Sequence, residues 1–221
     1  MKYLIVYRHG ERSDEAPESR KIDFQCISDA PLTSVGHQQA EIAAHSIHEL
    51  IPENSSIHLV SSPLIRCIQT SYKLSKLLNL PIFLEEGFGE CYCQHHFPIN
   101  PFENLHLRIR PDMFEHTIEG VKIIENSHIV RPPNPENPIQ LRERCEKMIE
   151  EYIMKREEDV VIVCTHFMPL KVITELIGGH SNIESQHTVI TVAEFLNEEF
   201  NILRNGCFKH LPRELTKPIP I

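Results

Sequence analysis

Four short stretches of this chain hold side chains suited to an anionic group. Arg8-His9-Gly10-Glu11-Arg12 sets two guanidinium groups around an imidazole; Arg66 follows Ser61-Ser62-Pro63; Thr165 precedes His166; and Glu85, Glu86 and Glu90 share one segment. Transfer of a phosphoryl group needs cations and hydrogen-bond donors around the equatorial oxygens, an in-line nucleophile, and a proton for the leaving oxygen. Arg8, Arg12 and Arg66 supply planar guanidinium groups that match phosphate oxygens bidentately. The nucleophile must be a neutral imidazole, and neighbouring positive charge disfavours the protonated form, which suits His9 beside Arg8. A carboxyl facing a phosphate dianion is pushed toward its protonated form, so an acid from the Glu85 to Glu90 segment is the expected proton donor, with Glu90 as the candidate. Gly10 is expected to let the backbone turn sharply toward the phosphate, at positive φ if required.

These residues share a context, because each group follows a strand-like run. The runs are Lys2 to Tyr7, Ile57 to Val60, Pro81 to Leu84, Asp159 to Cys164 and Thr188 to Phe195, with a weaker one near Asn201 to Arg204. Several are almost wholly apolar, as strands covered on both faces are. Helical periodicity separates them. Thr33 to Ile51 aligns Ala40, Ala43, Ala44, Ile47 and Leu50; Pro63 to Leu78 aligns Leu64, Ile68, Ser71, Leu74 and Leu78. Ser62 followed by Pro63 predicts an N-cap and first helical residue. A third helix is expected over Ile139 to Arg156, with Leu141, Cys145, Met148, Ile149 and Tyr152 inward, and a fourth after Met168. The alternation predicts an α/β three-layer sandwich with a mostly parallel central sheet and helices on both faces. In such sheets ligands collect outside the carboxyl ends of the strands, where the polar residues stand.

One domain, 1–221, is expected, with an inserted lid over about 91–138. That stretch breaks the rhythm and holds 7 of the 16 Pro and 5 of the 14 His. Tyr92, Phe97, Phe102 and Phe114 in it suit an aryl group, or else form a small core of the lid itself. The net charge of −9, with no run of basic residues, argues against a general nucleic-acid or anionic-membrane binder. The apolar opening from Tyr3 to Tyr7 is too short for a signal segment or membrane span, and seven scattered Cys fit reduced thiols, so a cytoplasmic protein is expected.

Two rival chemistries are weaker. Cys91, Cys93, His95 and His96 are zinc-type ligands, but all four come from six consecutive residues, whereas tetrahedral sites usually draw on separated pairs. Cys207 and Arg213 have the Cys-five-Arg spacing of cysteine phosphatases. The residues between, Phe208 to Pro212, offer no glycine for a phosphate-cradling loop and include a proline.

Over most of its length the chain resembles the histidine phosphatase superfamily, the phosphoglycerate mutase-like proteins. Tyr7 to Arg12 looks like the family's Arg-His-Gly signature, Asp29 to Ala40 is similar to the helix entry that follows it, Ser61 to Thr70 resembles the segment with the second phosphate-binding arginine, and Cys164-Thr165-His166 resembles the second histidine. The resemblance implies a transiently phosphorylated His9, a pocket completed by Arg8, Arg66 and His166, and no metal or other cofactor. Glu11-Arg12 and the Ser-Pro-x-x-Arg-Cys-x-Gln-Thr segment are similar to the phosphatase domain of the suppressors of T-cell receptor signalling. There an arginine matching Arg12 joins the pocket and the proton donor falls on Glu90, with Glu86 next. Residues 91–138 depart from that family. Glu15 stands where the mutases carry Asn, which favours hydrolysis over mutase chemistry.

The expectation is therefore a metal-independent phosphomonoesterase acting on a phosphorylated small molecule or phosphoprotein, phosphotyrosine or another aryl phosphate among them. A phosphoglycerate mutase, a sugar-bisphosphate phosphatase, and an inactive scaffold that binds phosphorylated partners are the alternatives. The sequence does not fix the oligomeric state, a homodimer being one option.

Overall fold

The first apolar run forms strand β1 (Tyr3–Arg8), with five of its six residues buried. The computed structural model describes residues 1–18, 29–93, 120–125 and 135–217. In chain order β1 is followed by helix α1 (Ser34–His48), β2 (Ile57–Ser61), α2 (Ile65–Leu78), β3 (Ile82–Leu84), β4 (Ile123–Glu125), α3 (Pro138–Lys147), β5 (Val160–Thr165), α4 (Phe167–Leu176), β6 (Ile190–Leu196) and β7 (Glu199–Cys207). A turn of π-helix, Met148–Ile153, continues α3.

Among the described residues the strands form one seven-stranded sheet in the order β4-β3-β2-β5-β1-β6-β7. The first five run parallel, and β6 and β7 turn back antiparallel at one edge. Side chains alternate across the sheet. Leu4, Val6, Val161 and Val163 pack with Leu141, Cys145, Met148, Leu170 and Ile173 of α3 and α4. Ile5, Tyr7, Leu59 and Ile162 pack with Ala44, Ile47, Ile68 and Leu74 of α1 and α2. These two cores make the three-layer α/β sandwich that the alternation of elements predicts. All six residues of β5 are buried, which is why its sequence is unbroken by charge.

Helix ends follow local chemistry. Thr33 caps α1 by accepting a hydrogen bond from the Gly36 N–H. Asn137 and Gln140 form a reciprocal capping box at α3, with Pro138 in the first turn. The expectation for α2 needs correction: it begins at Ile65, with Leu64 as N-cap, instead of at Pro63. The Ser62 hydroxyl is drawn away to His166, and the Asp29 carboxylate accepts from the Ile65 N–H at 2.8 Å.

The lid expectation also changes. Residues 123–125 are an edge strand, β4, paired in parallel with β3, so this part of 91–138 extends the sheet. Three residues are too few for a period-two pattern to register. The metal candidates His95 and His96, and Phe97, Phe102 and Phe114, lie outside the described residues. The weak run near 201–204 belongs to a nine-residue strand, β7. The described cysteines Cys67, Cys91, Cys93, Cys145, Cys164 and Cys207 are free thiols. No helix among the described residues is long and apolar enough to cross a membrane.

Candidate active site

Strand register brings the two histidines together. Arg8 of β1 pairs with Thr165 of β5, so His9 and His166 leave the sheet side by side. Their rings are 5.2 Å apart, inclined at 64°. Ser61 of β2 pairs with Cys164 on the other side of β5 and with Leu84 of β3. The carboxyl ends of four neighbouring strands thus lie level, and His9, His166, Arg66 and Glu90 all emerge at that edge.

Each side chain is held by identifiable partners. His9 Nδ1 is 2.7 Å from the Gly10 carbonyl, which can only accept, so Nδ1 carries the proton and Nε2 keeps its lone pair. The Gly10 N–H donates to Thr70 Oγ1 at 3.1 Å, and the Thr70 hydroxyl donates to the Arg66 carbonyl, tying the His9 loop to α2. Gln39 accepts from the Glu11 N–H and Gln69 from the Leu32 N–H. A Cβ on Gly10 would stand 2.5 Å from the Gly36 carbonyl oxygen, and one on Gly36 would stand 2.3 Å from that of Glu11. Gly10 is thus required by close backbone approach, and it is not among the residues at positive φ.

Arg66 is fully buried, and none of its three guanidinium nitrogens has a hydrogen-bond partner among the described residues; its ion-pair contact with Asp29 is 3.8 Å long. A buried cation that withholds all its donors is costly unless a ligand takes them. Arg8 donates through Nη1 to Ser185 and to the Gln186 carbonyl, while its Nε is left over. Burial pulls the Arg8 pKa down to about 10. Burial, then the charges of Arg66 and Arg8, hold His9 well below the ordinary histidine value. His166 is depressed in the same way by burial and by Arg66, Arg12 and Arg8. Both imidazoles are neutral near pH 7.

His166 Nε2 is 2.8 Å from Ser62 Oγ, and its Nδ1 is 3.9 Å from Glu90 Oε2. Glu90 Oε1 accepts from the Cys91 N–H at 2.8 Å, which turns Oε2 toward His166. Arg12 stands at the outer edge, its side chain 15% exposed, and its charge is already met by Asp14 and, at 3.5 Å, by Glu15. The geometry therefore groups His9, His166, Arg8, Arg66 and Glu90, with Arg12 at the rim. Glu86 is buried in the turn of 3₁₀ helix before Glu90.

Sequence reasoning missed Asp29, Ser62 and the pair Arg144 and Glu136. Arg144 is 7% exposed and holds Glu136 through two hydrogen bonds of 2.7 Å, beside the Glu90 loop. A signal was available: Arg144 falls on the inward stripe of α3 with Leu141, Cys145 and Met148, where a charge needs a buried partner. Tyr92 is fully buried against Leu64.

Residues 4–206 match the family model described as histidine phosphatase superfamily (branch 1). The chain belongs to the histidine phosphatase superfamily. That membership accounts for the paired histidines and buried arginines. Among solved structures, this histidine phosphatase is similar to the ecdysone phosphate phosphatase of Bombix mori in complex with tungstate (TM-score 0.63, 14% identity, 94% of this chain and 93% of that one). It is also similar to a phosphoserine phosphatase of Entamoeba histolytica in complex with 3-phosphoglyceric acid (TM-score 0.61, 23% identity, 96% and 100%). At such identities the likeness speaks for the fold. In sequence, the phosphatase is 37% identical over 100 residues to the transcription factor tau 55 kDa subunit of Saccharomyces cerevisiae. The matched stretch covers 44% of this chain and 22% of that protein.

Proposed function

We propose that the chain hydrolyses phosphomonoesters through a phosphohistidine at His9, with Arg8 and Arg66 supplying the positive charge in place of a metal. The observation that carries this reading is the fully buried Arg66, whose three nitrogens have no hydrogen-bond partner among the described residues and whose charge helps keep His9 neutral. Donors prepared in advance for charge that develops later are the main electrostatic device of phosphoryl transfer.

In the first half-reaction His9 Nε2 attacks phosphorus. The Nε2–P bond forms as the P–O bond to the leaving alcohol breaks, and that oxygen takes the proton from Glu90. Arg66 and the Arg8 Nε donate to the equatorial oxygens, and His166 faces the same oxygens across from His9. In the second half, water attacks phosphorus, Glu90 takes its proton, and the Nε2–P bond breaks to release phosphate and restore the imidazole. Arg12, offset by Asp14 and Glu15, serves the rim instead of the reacting phosphoryl group. The substrate is a phosphorylated small molecule or phosphoprotein.

A second reading is phosphate recognition without turnover, in which the same buried arginines hold a phosphoryl group that is never transferred. One experiment separates the two. Quenching in alkaline detergent during turnover of ³²P-labelled phenyl phosphate should trap an alkali-stable, acid-labile phosphoenzyme in the wild type and none in His9→Ala. Label that binds the wild type reversibly but is never trapped or hydrolysed would overturn the phosphatase reading in favour of the second.

A further inference from the structure

Among the described residues the segment that carries Glu90 pairs with no strand, yet four successive carbonyls in it are captured. Arg144 Nη1 donates to Gly87 O at 2.6 Å and to Gly89 O at 3.0 Å, and its Nη2 donates to Glu90 O at 2.9 Å. The remaining carbonyl, that of Phe88, accepts from the Thr165 hydroxyl at 2.5 Å. Thr165 immediately precedes His166. The loop is therefore fastened on one side to α3 and on the other to the strand end that presents the second histidine.

Arg144 is itself fixed. Glu136 accepts from its Nε and Nη2, and also from the Tyr92 N–H at 3.2 Å, while the Glu136 N–H donates to Tyr92 O at 3.0 Å. Glu136 thus grips the chain two residues after Glu90 from both sides. Gly89 completes the fit, since a Cβ there would lie 2.0 Å from Tyr92 Oη. With the backbone of residues 87–92 held, the Cys91 N–H takes up Glu90 Oε1 and leaves Oε2 facing His166.

Stability alone does not call for this arrangement. A buried ion pair commonly does no better than apolar side chains of similar volume, because both charges lose their hydration. An apolar pair, however, cannot specify where three carbonyls lie. A guanidinium, with five donors in a rigid plane, can.

We infer that Arg144, oriented by Glu136, is a positioning residue that sets the reach of the Glu90 carboxyl to the leaving oxygen by fixing the backbone of Gly87 to Glu90. This rests on the assignment of Glu90 as proton donor. Arg144 touches no reacting atom, and it acts through main chain only.

The test is the dependence of kcat/KM on leaving group, since kcat/KM reports the step that expels the alcohol. Dinitrophenyl phosphate leaves without help, whereas an alkyl phosphate needs a proton. Arg144→Lys keeps a charge opposite Glu136 but cannot span the carbonyls. It should lower kcat/KM on the alkyl phosphate by about 100-fold, within the range of a displaced general acid, and on dinitrophenyl phosphate by less than about threefold. Glu90→Gln should show the same selectivity, and the double variant should be no worse than Glu90→Gln alone, because both act through one proton. Glu136→Gln, nearly isosteric, should shift selectivity the same way and supplies the readout if Arg144→Lys folds poorly. Equal losses on both substrates in these variants, with Glu90→Gln selective, would overturn the positioning role and leave Glu90 as donor. A Glu90→Gln variant without selectivity would remove the donor assignment, and this inference with it.

Discussion

Arg66 shows how a single residue is set against the fold that holds it. Its side chain is fully buried, its three nitrogens have no hydrogen-bond partner among the described residues, and the Asp29 carboxylate stands 3.8 Å away. Burying a guanidinium this way costs stability that a phosphate would return on binding. Arg66→Met should therefore raise the melting temperature of the phosphate-free protein while lowering kcat/KM by roughly 100- to 1000-fold, the scale of losing one preorganised donor. A variant that melts lower than wild type would show that Arg66 stabilises the fold through Asp29 instead. Asp29 already serves the Ile65 N–H, so it is not left unpartnered when the arginine goes.

At the scale of elements, the site depends on how closely β1 and α1 approach. Gly10 and Gly36 face each other across the loop after β1, and Thr33, the α1 cap, also donates through its hydroxyl to Glu11 Oε1 at 2.8 Å. The atoms in the way of a new Cβ are backbone atoms, which cannot rotate aside. Gly36→Ala, well formed for a helix in isolation, should cost about 1–3 kcal/mol through overpacking, seen as a lower urea midpoint. It should also weaken inhibition by inorganic phosphate, because the displaced segment carries His9. Unchanged phosphate inhibition alongside a lowered midpoint would show that the His9 loop moves independently of α1.

For the whole molecule, burial of several imidazoles links stability to pH. His9 and His166 are held well below the usual histidine range by burial and arginine charge, and burial brings His58 and His210 down to about 4. Between these values and the unfolded value of about 6.5 the unfolded chain binds more protons, so stability rises with pH across that window. The contribution is complete above about pH 6.5, and the part from His58 and His210 is lost as pH falls toward about 4. Urea midpoints should fall between about pH 7 and pH 5, before most carboxylates titrate. A midpoint constant over that range would contradict the neutral buried state of these histidines.

The layered α/β fold and most of the candidate site were legible in the sequence. Apolar runs separated by 3.6-residue periodicity leave few topologies, and a parallel sheet delivers whatever follows each strand to one edge. That logic brought His9, His166, Arg66 and the Glu85 to Glu90 segment to one edge, because each follows the end of a strand, while the choice of Glu90 within its segment came from the family resemblance. Other features needed the folded chain. Ser62 leaves the helix cap for His166, Gly10 is required by Gly36 twenty-six positions away, and Arg12 is already met by Asp14 and Glu15. Arg144 reaches the Glu90 loop across more than fifty residues of chain. Local pattern records which residues face inward; which partner meets them there is set by distances between elements that only tertiary packing fixes.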